Sequence, residues 1–303
     1  MISPLAPLVL AVAAGYALLR WGFYDDAFRR GLDKLVYWVC LPALIVELLW
    51  TGEADPRSAG LASAALCAGA VLVAGLSLVV GRLAGLGPAA AATLAQAGFR
   101  GNLAFVGLPV IVLASPESAG LAAVTFGPLV VIYNLLAVPM LVRGGRQDGA
   151  GRGLRSLLKP MVTNPLIWSC AIGLAGALSG VALPDWTSDA LRLVGSPAAP
   201  LALLSVGGAM AVFPVRGRAG AALLATALKT VACPFISVGL GAAMGLGPAE
   251  LRVVAVLAAT PTAVASYVLV TQLKGDAALA ASAVILSTLA SVVSLAAALA
   301  WTA

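Results

Sequence analysis

FRGNLAFVGLP (residues 99–109) and LAATPTAVAS (residues 257–266) are the two stretches that decide the fold of this chain. Each places a helix-breaking proline inside a long apolar run, with amide or hydroxyl side chains beside it. Lipid cannot satisfy the backbone groups of a broken helix, so a break survives only where protein buries it or where it lines a polar cavity. Matched breaks in the two halves of a chain indicate a secondary transporter and point to its substrate site.

The composition is that of an integral membrane protein. Hydrophobic residues make up 61% of the 303 residues and charged residues only 10%, with a mean hydropathy of +1.04. In soluble domains about a quarter of the residues are charged. The apolar runs are long and do not alternate with polar residues, which favours helices over a β-barrel. We therefore predict an all-α integral membrane protein.

Ten apolar runs predict ten transmembrane spans, in two halves of five. A Gly- and Arg-rich linker, residues 143–160, separates the first half (1–142) from the second (161–303). Because each half has an odd number of spans, the second must enter the membrane in the opposite direction, as an inverted repeat. The fourth and ninth spans are the broken ones. The spans are approximately Ser3–Leu19, Leu32–Trp50, Ala59–Val80, Ala89–Ala114, Ala119–Val142, Met161–Gly180, Leu191–Phe213, Ala219–Leu246, Leu251–Leu273 and Ala277–Ala300.

The distribution of basic residues predicts that both termini lie outside. With the N-terminus outside, all Lys and Arg residues fall in inside loops except Arg100 and Lys229, which lie within spans, and a few in outside loops. The linker, residues 143–160, is then cytoplasmic and close to anionic lipid headgroups, which accounts for the net charge of +6 better than a nucleic-acid partner does. The basic residues in outside loops are Arg57, Arg192 and Arg252.

Polar side chains around the first break are suited to an anionic ligand. Arg100 can bind a carboxylate through two parallel hydrogen bonds, and Asn102 offers donors and an acceptor. We expect Gly107 to let the backbone adopt unusual angles just before Pro109. In the fifth span, Asn134 adds an amide near another proline kink. The alternative for Arg100 is that it reaches the cytoplasmic headgroups from the first turns of the fourth span.

The second break has the same character. Thr260 and Thr262 flank Pro261 and can contact a ligand, and Ser266 lies one turn beyond Thr262. The half-helix that follows a break presents free N–H groups and the positive end of its dipole, which favours an anion. The alternative is a pair of ordinary kinks, since Gly and Pro are common in membrane helices. The matching of the two breaks favours the substrate site.

Two further ionisable residues lie inside apolar runs, where such residues suggest function. We expect Lys229 to pair with a carbonyl group or to lie near the membrane interface. Glu47 is within about one turn of the outer end of its span, so we expect it to be exposed at the interface.

These motifs resemble the auxin efflux carrier family, which includes plant auxin exporters and bacterial carriers of malonate and related organic acids. The resemblance implies ten helices in two inverted repeats, with broken fourth and ninth helices that cross at the substrate site. It also implies a mobile transport domain that moves like an elevator against a scaffold, and transport of a small organic anion across the bacterial inner membrane. The implied partners are that anion and membrane lipid; a homodimer is left open, and no cofactor, metal or nucleic acid is implied. The matching segments are residues 41–45, 102–109, 133–134, 164–165, 200–208, 259–267 and 287–288.

Three other functions are weighed against this one. A sodium-coupled organic-anion symporter of the bile-acid type would need acidic or many oxygen ligands, and we expect no carboxylate near either break. An intramembrane aspartyl protease would need two buried carboxylates, and we expect the aspartates to lie in loops. The chain has no histidine, which removes His-dependent metal sites and triads, and no motif supports a Ser-Lys dyad. A passive channel would show repeated polar faces along a pore.

Overall fold

The computed structural model describes residues 5–52, 55–145, 162–213 and 218–301. Within these ranges the chain is helical apart from turns, short extended segments and one isolated β-bridge. In chain order the helices are α1 (Ala6–Arg20), α2 (Asp26–Leu35, Val36–Cys40 and Leu41–Thr51 in succession), α3 (Pro56–Leu83), α4 (Pro88–Phe99), α5 (Leu103–Ala114), α6 (Pro116–Gly144), α7 (Pro165–Ser179), α8 (Asp185–Val212), α9 (Ala219–Ala243), α10 (Pro248–Ala259), α11 (Val264–Gln272) and α12 (Ala277–Trp301).

Five of these helices, α3, α6, α8, α9 and α12, are long and apolar enough to cross a membrane. The prediction of an all-α protein of membrane type is therefore confirmed for the described residues. α4 and α5 correspond to the predicted fourth span, and α10 and α11 to the predicted ninth. The predicted linker falls outside the described residues from position 146 onwards.

The helices pack into two groups. In the first, which we call the panel, α8 packs on α1 and α2, and α7 packs on α2. The second, the bundle, contains α3 to α6 and α9 to α12. Glycines allow close packing within each group: a Cβ at Gly207 would lie 1.9 Å from the Val12 carbonyl oxygen in the panel, and one at Gly69 would lie 2.1 Å from Ser237 Oγ in the bundle. Each group is thus held together by tight helix contacts.

The pentapeptide GLGPA occurs twice, at residues 85–89 and 245–249. In both copies the first glycine has a positive φ (68° at Gly85, 81° at Gly245) and closes a helix, α3 or α9. The proline then begins the next helix, α4 or α10. Both of those helices are 12 residues long and end at a break. The two halves of the chain therefore place their breaks at the same distance from the same turn.

Pro109 does not lie at a break, and this part of our prediction is wrong. Within the described ranges, the helix backbone widens into a five-residue π turn at three places, and in each case a proline follows at the second position of the next helical segment. The wider turn accommodates the proline, so the helix continues through it. The turns are Val36–Cys40 before Pro42, Leu103–Gly107 before Pro109, and Leu228–Ala232 before Pro234.

Glu47 is buried rather than exposed at an interface, which corrects our expectation. Its Oε1 atom accepts a hydrogen bond from Arg192 Nη2 at 3.0 Å, across the contact between α2 and α8. The arginine is itself largely exposed. Because the ion pair satisfies the carboxylate, Glu47 can sit inside the panel, where it serves to join two helices.

Candidate functional site at the helix crossing

The break between α4 and α5 lies directly beside the break between α10 and α11. An antiparallel β-bridge joins Gly101 to Thr262. The backbone N–H of Asn102 donates to the carbonyl oxygen of Pro261 at 2.8 Å. These bonds satisfy backbone groups that a break exposes, so each break serves as the hydrogen-bonding partner of the other. The structure thus brings Asn102 and Thr262 together, although they are far apart in the sequence.

The crossing leaves no room for a side chain at Gly101. A Cβ there would lie 2.4 Å from Thr260 Oγ1, 3.2 Å from Lys229 Cε and 3.3 Å from the Tyr133 hydroxyl oxygen. Three elements of the bundle therefore converge on this glycine. Its φ is not positive, so its role is to permit close approach rather than an unusual backbone angle.

Gly107 also serves close packing, and our expectation of unusual backbone angles there is wrong. Its φ and ψ, −60° and −57°, are helical, and it ends the π turn Leu103–Gly107. A Cβ at this position would lie 2.9 Å from Leu257 Cδ2 and 3.1 Å from Thr260 Cγ2. Gly107 therefore lets α5 pack against the end of α10.

Thr260 and Thr262 hold the crossing together. Both are fully buried. Thr260 Oγ1 donates to the Leu257 carbonyl at 2.7 Å, and Thr262 Oγ1 donates to the Ala97 carbonyl of α4 at 2.8 Å. The backbone N–H of Thr262 donates to Ser287 Oγ at 2.9 Å. Thr262 thereby caps the C-terminal end of the helix that precedes the other break.

A cavity of about 360 Å³ lies beside the crossing, between the bundle and the panel. On the bundle side it is lined by Arg100, Asn102 and Tyr133. On the panel side its polar lining residues are Asp33, Lys34, Tyr37, Asn164 and Ser205. The remaining wall is largely apolar, with a few polar groups at the crossing, as is typical of small-molecule sites.

Arg100 lies at the break, with its side chain in this cavity wall. Its Nη1 atom donates to Asn134 Oδ1 at 3.1 Å, and Asn134 Nδ2 donates to the Val130 carbonyl at 3.0 Å. Arg100 follows the last residue of α4, about 18 Å along the axis from Pro88. It is therefore not in the first turns of the span, and the alternative that it reaches headgroups from there is wrong.

Both half-helices that follow a break begin at this cavity. Residues 103–105 at the start of α5 and residues 263–265 at the start of α11 line its wall. The first N–H groups of a helix have no partner within it, and they carry the positive end of the dipole. Asn102 Nδ2, which is buried in the same wall, has no hydrogen-bond partner among the described residues. Two positive helix ends, a guanidinium and a free amide donor thus meet at one place.

Asp33 is a cavity residue that our sequence analysis missed. Its carboxylate accepts hydrogen bonds from Arg29 Nη1, at 2.7 Å, and from the Ser205 hydroxyl. The expectation that no carboxylate lies near either break is therefore wrong, as is the assignment of every aspartate to a loop. The reason is that α2 begins at Asp26, so this polar turn is helical and Asp33 lies in the panel wall.

Of the predicted site residues, only Arg100 and Asn102 line this cavity; the others, Gly107, Pro109, Asn134, Thr260, Pro261, Thr262 and Ser266, do not. Pro261 lines a second cavity, of about 510 Å³ and almost entirely apolar, with residues of α1, α5, α8 and α12. Ser266 is fully buried, and its hydroxyl has no partner among the residues that the structure describes. The structure thus brings Arg100 and Asn102 together in the cavity wall, and Asn134 accepts a hydrogen bond from the guanidinium.

The two prolines should therefore differ in their effect. Pro261→Ala restores a backbone N–H at a true break and favours a continuous helix, so we expect transport to fall about tenfold, or about 1.4 kcal/mol. Pro109 lies within a helix, so transport by Pro109→Ala should stay within about twofold of that by the wild type. Transport measured at equal amounts of membrane-inserted protein checks this pair. An effect of Pro109→Ala as large as that of Pro261→Ala would contradict our location of the first break.

The comparison with known proteins shows the family of the chain. No match was found among curated proteins. The sequence matches the family model described as membrane transport protein over residues 1–149 and 152–299. This match covers both halves of the chain and both breaks. The chain therefore belongs to this family of membrane transport proteins, which is of the auxin efflux carrier type that its motifs resemble.

Proposed function

We propose that this protein is a secondary transporter or facilitator that moves a small organic anion, a carboxylate of the malonate or auxin type, across the bacterial inner membrane. The observation that carries the proposal is the cavity at the crossing, where Arg100 and the N-terminal ends of α5 and α11 meet. Each of these groups favours negative charge, and together they match a carboxylate better than a neutral or cationic solute.

The acid in the opposite wall does not cancel this preference. Asp33 is paired with Arg29 and bonded to Ser205, so its charge is already compensated within the panel. Arg100 has only the neutral amide of Asn134 as its side-chain hydrogen-bond partner among the described residues, so its charge remains available to a ligand. A volume of about 360 Å³ suits a small acid.

The position of the cavity supports alternating access of the elevator type. One wall belongs to the bundle and the other to the panel, and each group is tightly packed within itself. Between the groups the packing is looser at Gly127, where a Cβ would lie 3.8 Å from Cys170 Cβ. A bundle that slides against the panel would carry the bound anion with it and expose it to the other side.

The repeated turn and the antiparallel bridge support ten spans in two inverted halves. The GLGPA turns precede α4 and α10 in equivalent positions, and the bridge between Gly101 and Thr262 runs antiparallel, as it should if the halves have opposite orientation. In this arrangement both termini lie outside. The outward-facing surfaces carry exposed apolar side chains, such as Leu72, Phe235 and Val293, that suit lipid.

The decisive experiment is a transport screen in proteoliposomes. Radiolabelled mono- and dicarboxylates are compared with their neutral amides, with and without sodium or proton gradients. We expect saturable uptake of at least one carboxylate and no uptake of its amide beyond that of protein-free liposomes. Uptake of the amides at equal rates, or no carboxylate uptake with any gradient, would overturn the proposal.

A further inference from the structure

The C-terminal end of α10 is capped by side chains from its neighbours. The Leu257 carbonyl accepts a hydrogen bond from Thr260 Oγ1, and the Ala259 carbonyl accepts one from Ser294 Oγ at 3.0 Å. Between them, the Ala258 carbonyl accepts a hydrogen bond from a third side chain. Carbonyl groups at the end of a helix carry its negative dipole, and in broken transporter helices such ends hold cations.

The group that bonds to Ala258 is the side chain of Lys229. Lys229 lies in the π turn Leu228–Ala232 of α9 and is fully buried. Its Nζ atom donates to the Ala258 carbonyl oxygen, and it forms no ion pair with a carboxylate within the described ranges. A buried ammonium without an acid is costly unless other groups compensate its charge. Here the helix end supplies that compensation.

Lys229 also spans the crossing itself. Its Cε atom would lie 3.2 Å from a Cβ at Gly101, so the side chain runs past the first break to reach the end of the helix that precedes the second. It does not line the cavity that contains Arg100. The positive, N-terminal ends of α5 and α11 therefore face the cavity, and the negative, C-terminal end of α10 faces Lys229.

We propose that Lys229 is a tethered cation, which occupies the position where the broken helix would otherwise need a free cation such as sodium. This inference rests on the proposed transport function and adds that the crossing is complete without a bound metal ion. Lys229 is a positioning residue: its charge stabilises the end of α10, and through the bridge at Gly101 it fixes the break that carries Arg100.

Thermal unfolding of the purified protein tests this without knowledge of the substrate. The salts are sodium chloride, methylammonium chloride and choline chloride at equal ionic strength. The variants are Lys229→Met, which keeps the length of the side chain, and Lys229→Ala, which leaves a space. Lys274→Met is the matched control, since Lys274 is exposed at the end of α11.

We expect both Lys229 variants to unfold at least about 5 °C below the wild type. Lys274→Met should unfold at the same temperature as the wild type. Sodium or methylammonium should restore part of the stability of Lys229→Ala relative to choline, because these small cations can enter the vacated space. A merely structural loss would not respond to the identity of the cation. The proposal is wrong if Lys229→Ala has the same unfolding temperature in all three salts, or if Lys229→Met has the same unfolding temperature as the wild type.

Measurements on the wild type keep the test decisive should either variant fail to fold. Because its cation is built in, the wild-type protein should unfold at the same temperature in sodium and choline. Stabilisation by sodium that saturates with concentration would show that a free cation binds, and would overturn the inference. The proposed transport function would survive that result, since it depends on carboxylate uptake and not on the cation.

Discussion

Replacing Arg100 with glutamine is expected to lower carboxylate transport about 100-fold. The guanidinium is the only charged group that the bundle places in the cavity wall among the described residues. A hydrogen bond to a charged ligand contributes up to about 3 kcal/mol, and the variant also removes the one positive side chain that the described part of the bundle offers to the bound carboxylate. Glutamine can still bond to Asn134, so the local structure should persist. The measurement is uptake of the best carboxylate from the screen, at matched amounts of inserted protein.

Two variants make this result specific. Arg100→Lys keeps the charge but loses the planar fork. Its carboxylate transport should therefore lie between that of Arg100→Gln and that of the wild type. Arg82→Gln removes an exposed arginine at the end of α3 and should have little effect. Equal transport by Arg100→Gln and the wild type would show that the anion binds elsewhere.

Gly101→Ala is expected to abolish transport and to lower stability by about 3 kcal/mol, the upper end of the usual cost of overpacking. The added methyl group would lie 2.4 Å from Thr260 Oγ1, in a place where α4, α9 and α10 converge. The bridge to Thr262 must then open, and it can do so only by exposing backbone groups of both breaks. Thermal unfolding and transport of the same preparation measure the two effects.

The control for this prediction is another glycine. Gly75 lies in the middle of α3, and a Cβ added there would have no neighbouring atom within 4 Å, so Gly75→Ala should be neutral or slightly stabilising. A second-site change sharpens the test: Thr260→Ala removes the oxygen that clashes, so it should restore part of the stability lost in Gly101→Ala. If the double variant is no more stable than Gly101→Ala alone, the clash is not the cause.

The crossing could be predicted because its signals are local. A proline and hydroxyl groups inside an apolar run locate the second break at Pro261 without any knowledge of neighbours, and the break does fall there. Arg100 and Asn102 were identified in the same way, because charge and amide groups are rare at membrane depth. A further local signal went unused: the identical GLGPA turns at residues 85–89 and 245–249 mark the two halves directly.

The remaining errors concern packing, which a linear pattern does not contain. Pro109 looked like a breaker because the π turn before it cannot be seen in sequence. The hydrogen bonds of Thr260 and Thr262 to carbonyls of α10 and α4 likewise cannot be read from the sequence. The sequence suggests that Asp33 lies in a loop, but the packing of the panel against the bundle places it in the wall of the same cavity as Arg100. Which polar groups face each other depends on contacts between distant segments.

The bridge between Gly101 and Thr262 has a consequence for how the protein is made. The backbone at residues 100–102 finds its partners at residues 261–263, which are synthesised long after it. Until then, a break held open in lipid would carry unpaired N–H and C=O groups. The newly made segment from α4 to α5 must therefore keep these groups paired in another way, and it reaches its final shape only when the segment from α10 to α11 has been made. The first half of the chain, expressed alone, cannot form the crossing.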